Sequence, residues 1–251
     1  MQAGWKTSTG KIRHINQDSC YISEKGAGAL PNVFIVADGM GGHNGGEIAS
    51  RFSMAFFLEY VSANASADNG ILDYMLKAMS YSNLKVYEKS FDSSDLAGMG
   101  TTFTSCALNE GKLYAAHIGD SRIYLISGKS IKQITNDHSY VGLLVKAGQI
   151  TEEEAITHPK KNILTKVLGT DKEIDADGSE HDIGGARYVL LCSDGLTNMV
   201  SDKELHKIVN SKASLNEKLE TLIERANENG GYDNITAVLI DTEAMAPEVS
   251  E

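Results

Sequence analysis

The chain has 251 residues, 41% of them hydrophobic, and a formal net charge of −11, which is enough apolar material for one large domain with a core that needs no staple. The acidity argues against a nucleic-acid surface, which clusters Lys and Arg to displace counterions from phosphates. No apolar run approaches the roughly 20 residues that span a bilayer, and the opening Met1-Gln-Ala-Gly-Trp-Lys6 lacks the charged-then-apolar pattern of a signal peptide. The expectation is a cytoplasmic protein with neither nucleic-acid nor membrane partners.

In chain order, Cys20 is the first of three widely separated cysteines, with Cys106 and Cys192. Their odd number and mostly apolar surroundings predict reduced thiols, and none opens a Cys-x5-Arg loop. Val33 to Ala37 is an apolar run with β-branched and aromatic content, a buried strand. Residues 47–61 place Ile48, Phe52, Phe56 and Tyr60 on one helical face. Leu72, Met75, Leu76, Met79 and Tyr87 then recur at helical spacing, as core-facing residues do. Phe103 to Leu108 and Lys112 to Ile118 flank Asn109-Glu-Gly111 as a hairpin. Ser121 to Ile126 and Ser130 to Ile134 form a second one around Gly128.

Residues 138–170 read as helical and loop-like, with Gly148 as a stop and Thr151-x-x-Glu154 as a capping box. Asp175-Ala-Asp-Gly178 departs from calcium-loop spacing and reads as an acidic surface turn. Tyr188 to Cys192 returns to strand. Ser201-x-x-Glu204 and Ser214-x-x-Glu217 each open a helix, and Ile235 to Ile240 is the closing strand. Residues 242–251 read as a short loose tail. Strands adjacent in sequence with helices grouped between them predict a layered α+β fold, helices covering two packed antiparallel sheets.

Four aspartates share a placement beside these strands. Asp38 follows the 33–37 run in Asp38-Gly-Met-Gly-Gly-His43. Asp120 follows 112–118 in Gly119-Asp-Ser-Arg122. Asp194 follows 188–192 in Ser193-Asp-Gly195, and Asp233 precedes 235–240 in Tyr232-Asp-Asn234. A carboxylate at a strand end is held rigidly yet opens onto a cleft, so several from different strands can converge. Converging carboxylates repel unless a cation neutralises them. Oxygen ligands without a His or Cys cluster favour Mg²⁺ or Mn²⁺ over Zn²⁺. Taken one at a time, such an aspartate also suits an ordinary turn, and spacing alone leaves both readings open. Arg13, in Arg13-x-x-Asn-Gln-Asp18, is either a surface arginine or a fork for a phosphate dianion. No Gly-x4-Gly-Lys-Ser/Thr loop, Gly-x-Ser-x-Gly elbow or His-Glu-x-x-His occurs.

Taken in order, Arg13 to Asp18, Asp38 to His43, Gly100-Thr-Thr102, Gly119 to Arg122, Asp137-His-Ser139, His158-Pro159 with Asn162, Ser193 to Gly195 and Gly231 to Asn234 resemble the bacterial branch of the PPM family of metal-dependent protein serine/threonine phosphatases (type 2C). The resemblance implies a four-layer α-β-β-α sandwich, with residues 1–241 forming one catalytic domain. It implies two Mn²⁺ or Mg²⁺ ions bridged by Asp38, with the Gly39 carbonyl on one and Asp194 and Asp233 completing the second. Asp120 with Asp194 would form a third, weaker site, and Asp18 would act in the outer shell through water. Arg13 would hold the substrate phosphate, and residues 138–168 would be a flap beside the cleft, carrying the substrate-binding His158. Met40 stands where many eukaryotic members carry a candidate acid His, which leaves His43 as a candidate general acid. The implied partners are phosphoproteins and a bacterial Ser/Thr kinase that the enzyme opposes, and a monomer is expected.

Overall fold

Alternation along the central strands sets the layering. In β3 (Val33–Met40), Phe34 and Val36 enter one apolar layer, whereas Val33, Ile35 and Ala37 enter another. The same division separates Val189 and Leu191 from Tyr188, Leu190 and Cys192 in β10 (Tyr188–Cys192), and Val238 and Ile240 from Ala237 and Leu239 in β11 (Ile235–Asp241). Strands buried on both faces need apolar residues at every position, which explains their unbroken hydrophobic runs in an antiparallel protein.

The computed structural model describes residues 1–41, 45–64, 66–67 and 70–243, the side chains of Glu152 and Ile156 excepted. One sheet runs β1 (Gln2–Ser8), β11, β10, β7 (Arg122–Ile126), β8 (Ile131–Gln133). The other runs β2 (Asp18–Ser23), β3, β5 (Phe103–Asn109), β6 (Lys112–Ile118), β9 (Asp177–Asp182), with β4 (Gly100–Thr101) paired to the end of β3. Every pairing is antiparallel. The helices α1 (Gly45–Ala63) and α2 (Ile71–Lys89) cover the second sheet. On the other side, α6 (Asp202–Val209) and α7 (Leu215–Glu228) cover the first. The result is the four-layer sandwich expected. Among the described residues, no helix is long and apolar enough to cross a membrane.

Helix ends follow local chemistry. Thr151 caps α4 (Glu152–Thr157) and Ser214 caps α7, each in a closed capping box with the Glu three residues on. Two expectations need correction. The fully buried face of α1 is Ala49, Ser50, Ser53, Met54, Phe57 and Val61, while Ile48, Phe56 and Tyr60 of the expected stripe pack partly buried at its edge and Phe52 is exposed. Small hydroxyl residues let the helix lie close to the sheet, because Ser50 Oγ donates to Gln17 O (2.6 Å) and Ser53 Oγ to Ser50 O (2.8 Å). Tyr60 instead stacks its ring between Tyr74 and Tyr81, 6.0 and 5.5 Å away. The acidic turn at 175–178 runs into β9, an edge strand with charged residues facing solvent, a common device against edge-to-edge pairing.

The cysteines are free and lie in different surroundings, Cys106 between the sheets and Cys192 under α6 and α7. Burial pushes the Cys20 and Cys192 thiols up to about 12 and raises Cys106 as well.

His117 is buried at the end of β6. Its Nδ1 lies 2.8 Å from Thr104 Oγ1 and its Nε2 3.0 Å from the Asn136 carbonyl. A carbonyl only accepts, so Nε2 carries a proton in either charge state. Burial, with His138 adjoining, lowers its pKa to about 4. Unfolded histidine takes up a proton near 6.5, so the folded state loses ground as pH falls from there towards 4. By pH 5 this amounts to about 2 kcal/mol. Urea unfolding at pH 7 and pH 5 should therefore show a larger drop in stability for the wild type than for His117→Gln, and equal drops would contradict the assignment.

Candidate active site

The antiparallel register carries the chosen aspartates to one end of the sandwich. In the β2–β3 pairing, Asp18 stands directly opposite Asp38. Cys192, the last residue of β10, pairs with Arg122 at the start of β7 and with Ala237 near the start of β11. That places Asp194, Asp120 and Asp233 around the same rim.

Asp38 is fixed through its backbone. Its N–H donates to Thr102 Oγ1 (2.9 Å), and its carbonyl accepts from Thr102 N (2.8 Å) and Thr101 Oγ1 (2.9 Å). Gly39 follows because the chain passes too close to α1 for any side chain, since a Cβ there would stand 2.0 Å from Gly46 O and 2.7 Å from Gln17 O. The facing Asp18 is buried. Its Oδ2 accepts from Ser193 Oγ (2.7 Å), while Oδ1 has no hydrogen-bond partner. Asp194 opens the short helix α5 (Asp194–Thr197), where negative charge suits the helix start. Its Oδ2 accepts from Asn198 Nδ2 (2.9 Å), and its buried Oδ1 is likewise without a partner. Asp233 Oδ2 accepts from Arg13 Nη2 (2.8 Å), and Oδ1 from the backbone of Asn234 (2.8 Å).

Like charges directly opposite each other on paired strands repel, and the electrostatics follow. Burial, with further repulsion from Asp194 and Asp233, lifts Asp18 to about 7 even though Ser193 and Thr236 hydrogen bonds oppose it. Burial is also the first cause at Asp38, followed by the charges of Asp18, Asp194, Asp120 and Asp233, and its pKa lies well above the carboxylate range. Asp120 is raised by burial and by Asp194 and Asp137, with Arg122 opposing. Asp194 is raised by burial and Asp233, with Asp38, Asn198 and Arg122 opposing. Arg122 is engaged elsewhere, its Nε and Nη2 gripping Asp137 at 2.7–3.2 Å.

This donor set fits a hard divalent cation. It supplies carboxyl oxygens without His or Cys, and two of them are buried without a hydrogen-bond partner. Among the described residues no three His, Cys, Asp or Glu side chains already form one ligand shell. Two of the carboxylates are instead drawn towards protein donors, Asp233 by Arg13 and Asp194 by Asn198.

Arg13 sits half-exposed at the rim, ion-paired to Asp233. The segment containing α3 (Tyr140–Lys146) and α4 is rooted beside the aspartates. Leu168 and Thr101 exchange two backbone bonds of 2.9 Å, and His138 N donates to Gly119 O (2.8 Å). His158 lies at the end of α4, its ring 6.0 Å from Tyr140 and its Nδ1 accepting from Lys160 N. The structure gives it no bond to an aspartate of the cleft. Met40 ends β3, partly exposed, and His43 lies outside the described residues. Ser193, Thr101, Thr102 and Asn234 have roles here that no motif in the sequence specifies. The Thr-Thr and Ser-Asp pairs beside the aspartates were the available signal, since hydroxyls there can satisfy both backbone and carboxylate.

Comparison with known proteins gives concordant results. The family model described as protein phosphatase 2C matches residues 11–240. The serine/threonine phosphatase stp of Listeria welshimeri is 37% identical over 98% of this chain and 97% of its own. The protein phosphatase PhpP of Streptococcus pneumoniae is 40% identical over 96% of this chain and 97% of its own. The crystal structure of serine/threonine phosphatase Stp1 from Staphylococcus aureus superposes with a TM-score of 0.90 at 35% identity, covering 96% of this chain and 95% of that one.

Removing the buried Asp18 carboxylate, which burial and its acidic neighbours disfavour, should relieve the metal-free protein. Asp18→Asn is expected to raise its stability by about 1 kcal/mol, a Tm increase of roughly 2–4 °C, while weakening the Mn²⁺-induced rise in Tm. Scanning calorimetry of the chelator-treated and Mn²⁺-loaded forms tests this. An unchanged metal-free Tm would show that the crowding carries no strain.

Proposed function

The chain belongs to the protein phosphatase 2C family of metal-dependent phosphoprotein phosphatases, and we propose that it hydrolyses phosphoserine and phosphothreonine in proteins at a binuclear Mn²⁺ or Mg²⁺ centre. The observation that carries this reading is the crowding of Asp18, Asp38, Asp120 and Asp194 at one rim, beside Asp233 and Arg13.

In this reading Asp38, the Gly39 carbonyl, Asp194 and Asp233 hold the two core ions. Asp120 with Asp194 holds a third, and Asp18 acts through water. When bound, the ions supply charge neutralisation, an activated water and screening of the phosphoryl oxygens. The chain's own residues do the rest. Thr101 and Thr102 hold the Asp38 backbone, and Ser193 holds Asp18, so the carboxylates are positioned before substrate arrives. The Arg13 guanidinium stays charged near neutral pH and offers a planar fork to the phosphate dianion. Its pairing with Asp233 ties the phosphate site to the metal site. The cysteine thiols, raised by burial, leave no activated sulfur nucleophile. Direct attack by water without a covalent enzyme intermediate is the chemistry these residues support. His43 is the candidate acid for the leaving alkoxide, and His158 on the flap of residues 138–168 contributes to substrate binding.

Residues 1–241 act as one catalytic domain in this reading, supported by the pairing of β1 with β11. The physiological role that fits is removal of phosphate placed by a bacterial serine/threonine kinase, in the cytoplasm and as a monomer.

Asp194→Asn should abolish Mn²⁺- and Mg²⁺-dependent hydrolysis of a phosphothreonine peptide, with a loss of at least about a hundredfold in kcat/KM. Chelation should remove wild-type activity to the same floor, and turnover that persists without metal would overturn the reading. Arg13→Ala should raise KM for phosphosubstrates about tenfold with Mn²⁺ affinity nearly unchanged. Steady-state kinetics and a Mn²⁺ titration separate the two effects, and an unaltered KM would refute the phosphate role.

A further inference from the structure

Between β1 and β2 the chain runs from Thr9 to Gln17 without regular secondary structure, and this arm carries Arg13. An irregular loop holds an exposed arginine in one place only if something inside it fixes the backbone. The Asn234 side chain meets that need. It is only 4% exposed, and it binds three backbone groups of the arm at once. Its Nδ2 donates to Thr9 O and Ile15 O, both at 3.0 Å, and its Oδ1 accepts from Gln17 N at 2.8 Å. A carboxamide is the side chain of this size that offers two donors and an acceptor together. Aspartate would lose both donors, and serine cannot reach all three groups.

The neighbouring residue completes the arrangement. Asp233 takes the Asn234 backbone N–H on Oδ1 and the Arg13 guanidinium on Oδ2. Lys11 N donates to Gly231 O (2.8 Å), and Gly10, at φ +79°, lies so close that a Cβ would stand 2.2 Å from Asp233 O. The arm is thus laid along residues 231–234 with Asn234 at its base and Asp233 at its head.

We propose that Asn234 is the positioning residue for the phosphate site, holding the Arg13 arm in register with the metal-binding Asp233. The inference rests on the assignment of Arg13 to the substrate phosphate. Asn234 touches neither substrate nor ion and acts through Arg13.

A double-mutant cycle tests this. Wild type, Asn234→Asp, Arg13→Ala and the double variant are compared with Mn²⁺ saturating, para-nitrophenyl phosphate as substrate and inorganic phosphate as competing inhibitor. Asn234→Asp should raise KM and the phosphate inhibition constant on the order of tenfold, because a displacement near 1 Å at a positioning group has effects of this size or larger. The Mn²⁺ titration midpoint should stay within about twofold, and in the Arg13→Ala background the same change should lower kcat/KM by less than about twofold. An equal loss in both backgrounds would show a structural role independent of Arg13 and overturn the proposal. A loss confined to kcat with a shifted Mn²⁺ midpoint would overturn it too. Gly10→Ala lifts the arm by a separate route and should reproduce the KM rise and its dependence on Arg13, and it decides the matter if Asn234→Asp fails to fold. An unchanged KM in Gly10→Ala would then count against the arm. The underlying reading fails differently. Arg13→Ala with an unchanged KM removes both assignments, whereas an effective Arg13→Ala with an additive Asn234→Asp removes this one alone.

Discussion

The repulsion between Asp18 and Asp38, facing each other across β2 and β3, is the constraint around which the rest of the molecule is organised. Two carboxylates in that position are tolerable only if the backbone beneath them cannot move apart and a counter-charge can enter. The first condition is met by hydroxyls. Thr101 and Thr102 hold Asp38, and Ser193 ties Asp18 to the strand pair of the other sheet through Thr236. The second condition is met by leaving one carboxyl oxygen each of Asp18 and Asp194 without a hydrogen-bond partner. Stability is given up at this rim and regained in the three apolar layers below it, a division common where a site must be organised ahead of its ligand.

The layers themselves explain how much could be read without coordinates. Strands β3, β5, β6, β10 and β11 are buried on both faces, so they stand out as apolar runs, and the aspartates at their ends stand out with them. Strands β1 and β9 lie at sheet edges and β2 is only partly covered. Their composition is mixed, so no apolar run marks β1 or β2, and the start of β9 carries the residues of a turn. The closest contact face of α1 is hidden in the sequence for a related reason. Apolarity marked the flank of the helix, while the contact surface was built from Ala49, Ser50 and Ser53, whose small size permits close approach.

Within the site, the carboxylates were legible because each lies beside a strong strand. Asn234 was visible only as part of a motif, because its three bonds go to main-chain groups more than two hundred positions earlier in the chain, and backbone acceptors leave no mark in the residues that carry them. The ion pair of Arg13 with Asp233 was hidden for the same reason. Both depend on the register of β1 against β11, which no local pattern encodes.

That register also imposes an order of assembly. β11 lies between β1 and β10, so during synthesis both neighbours wait with open edges until β11 emerges. The six-stranded sheet, with α1 and α2 across it, is built from residues that leave the ribosome earlier, and it can fold first. The insertion of β11 then closes the second sheet. The same event delivers Asp233 and Asn234 to the arm that follows β1, so the carboxylate rim is complete only once β11 has been added.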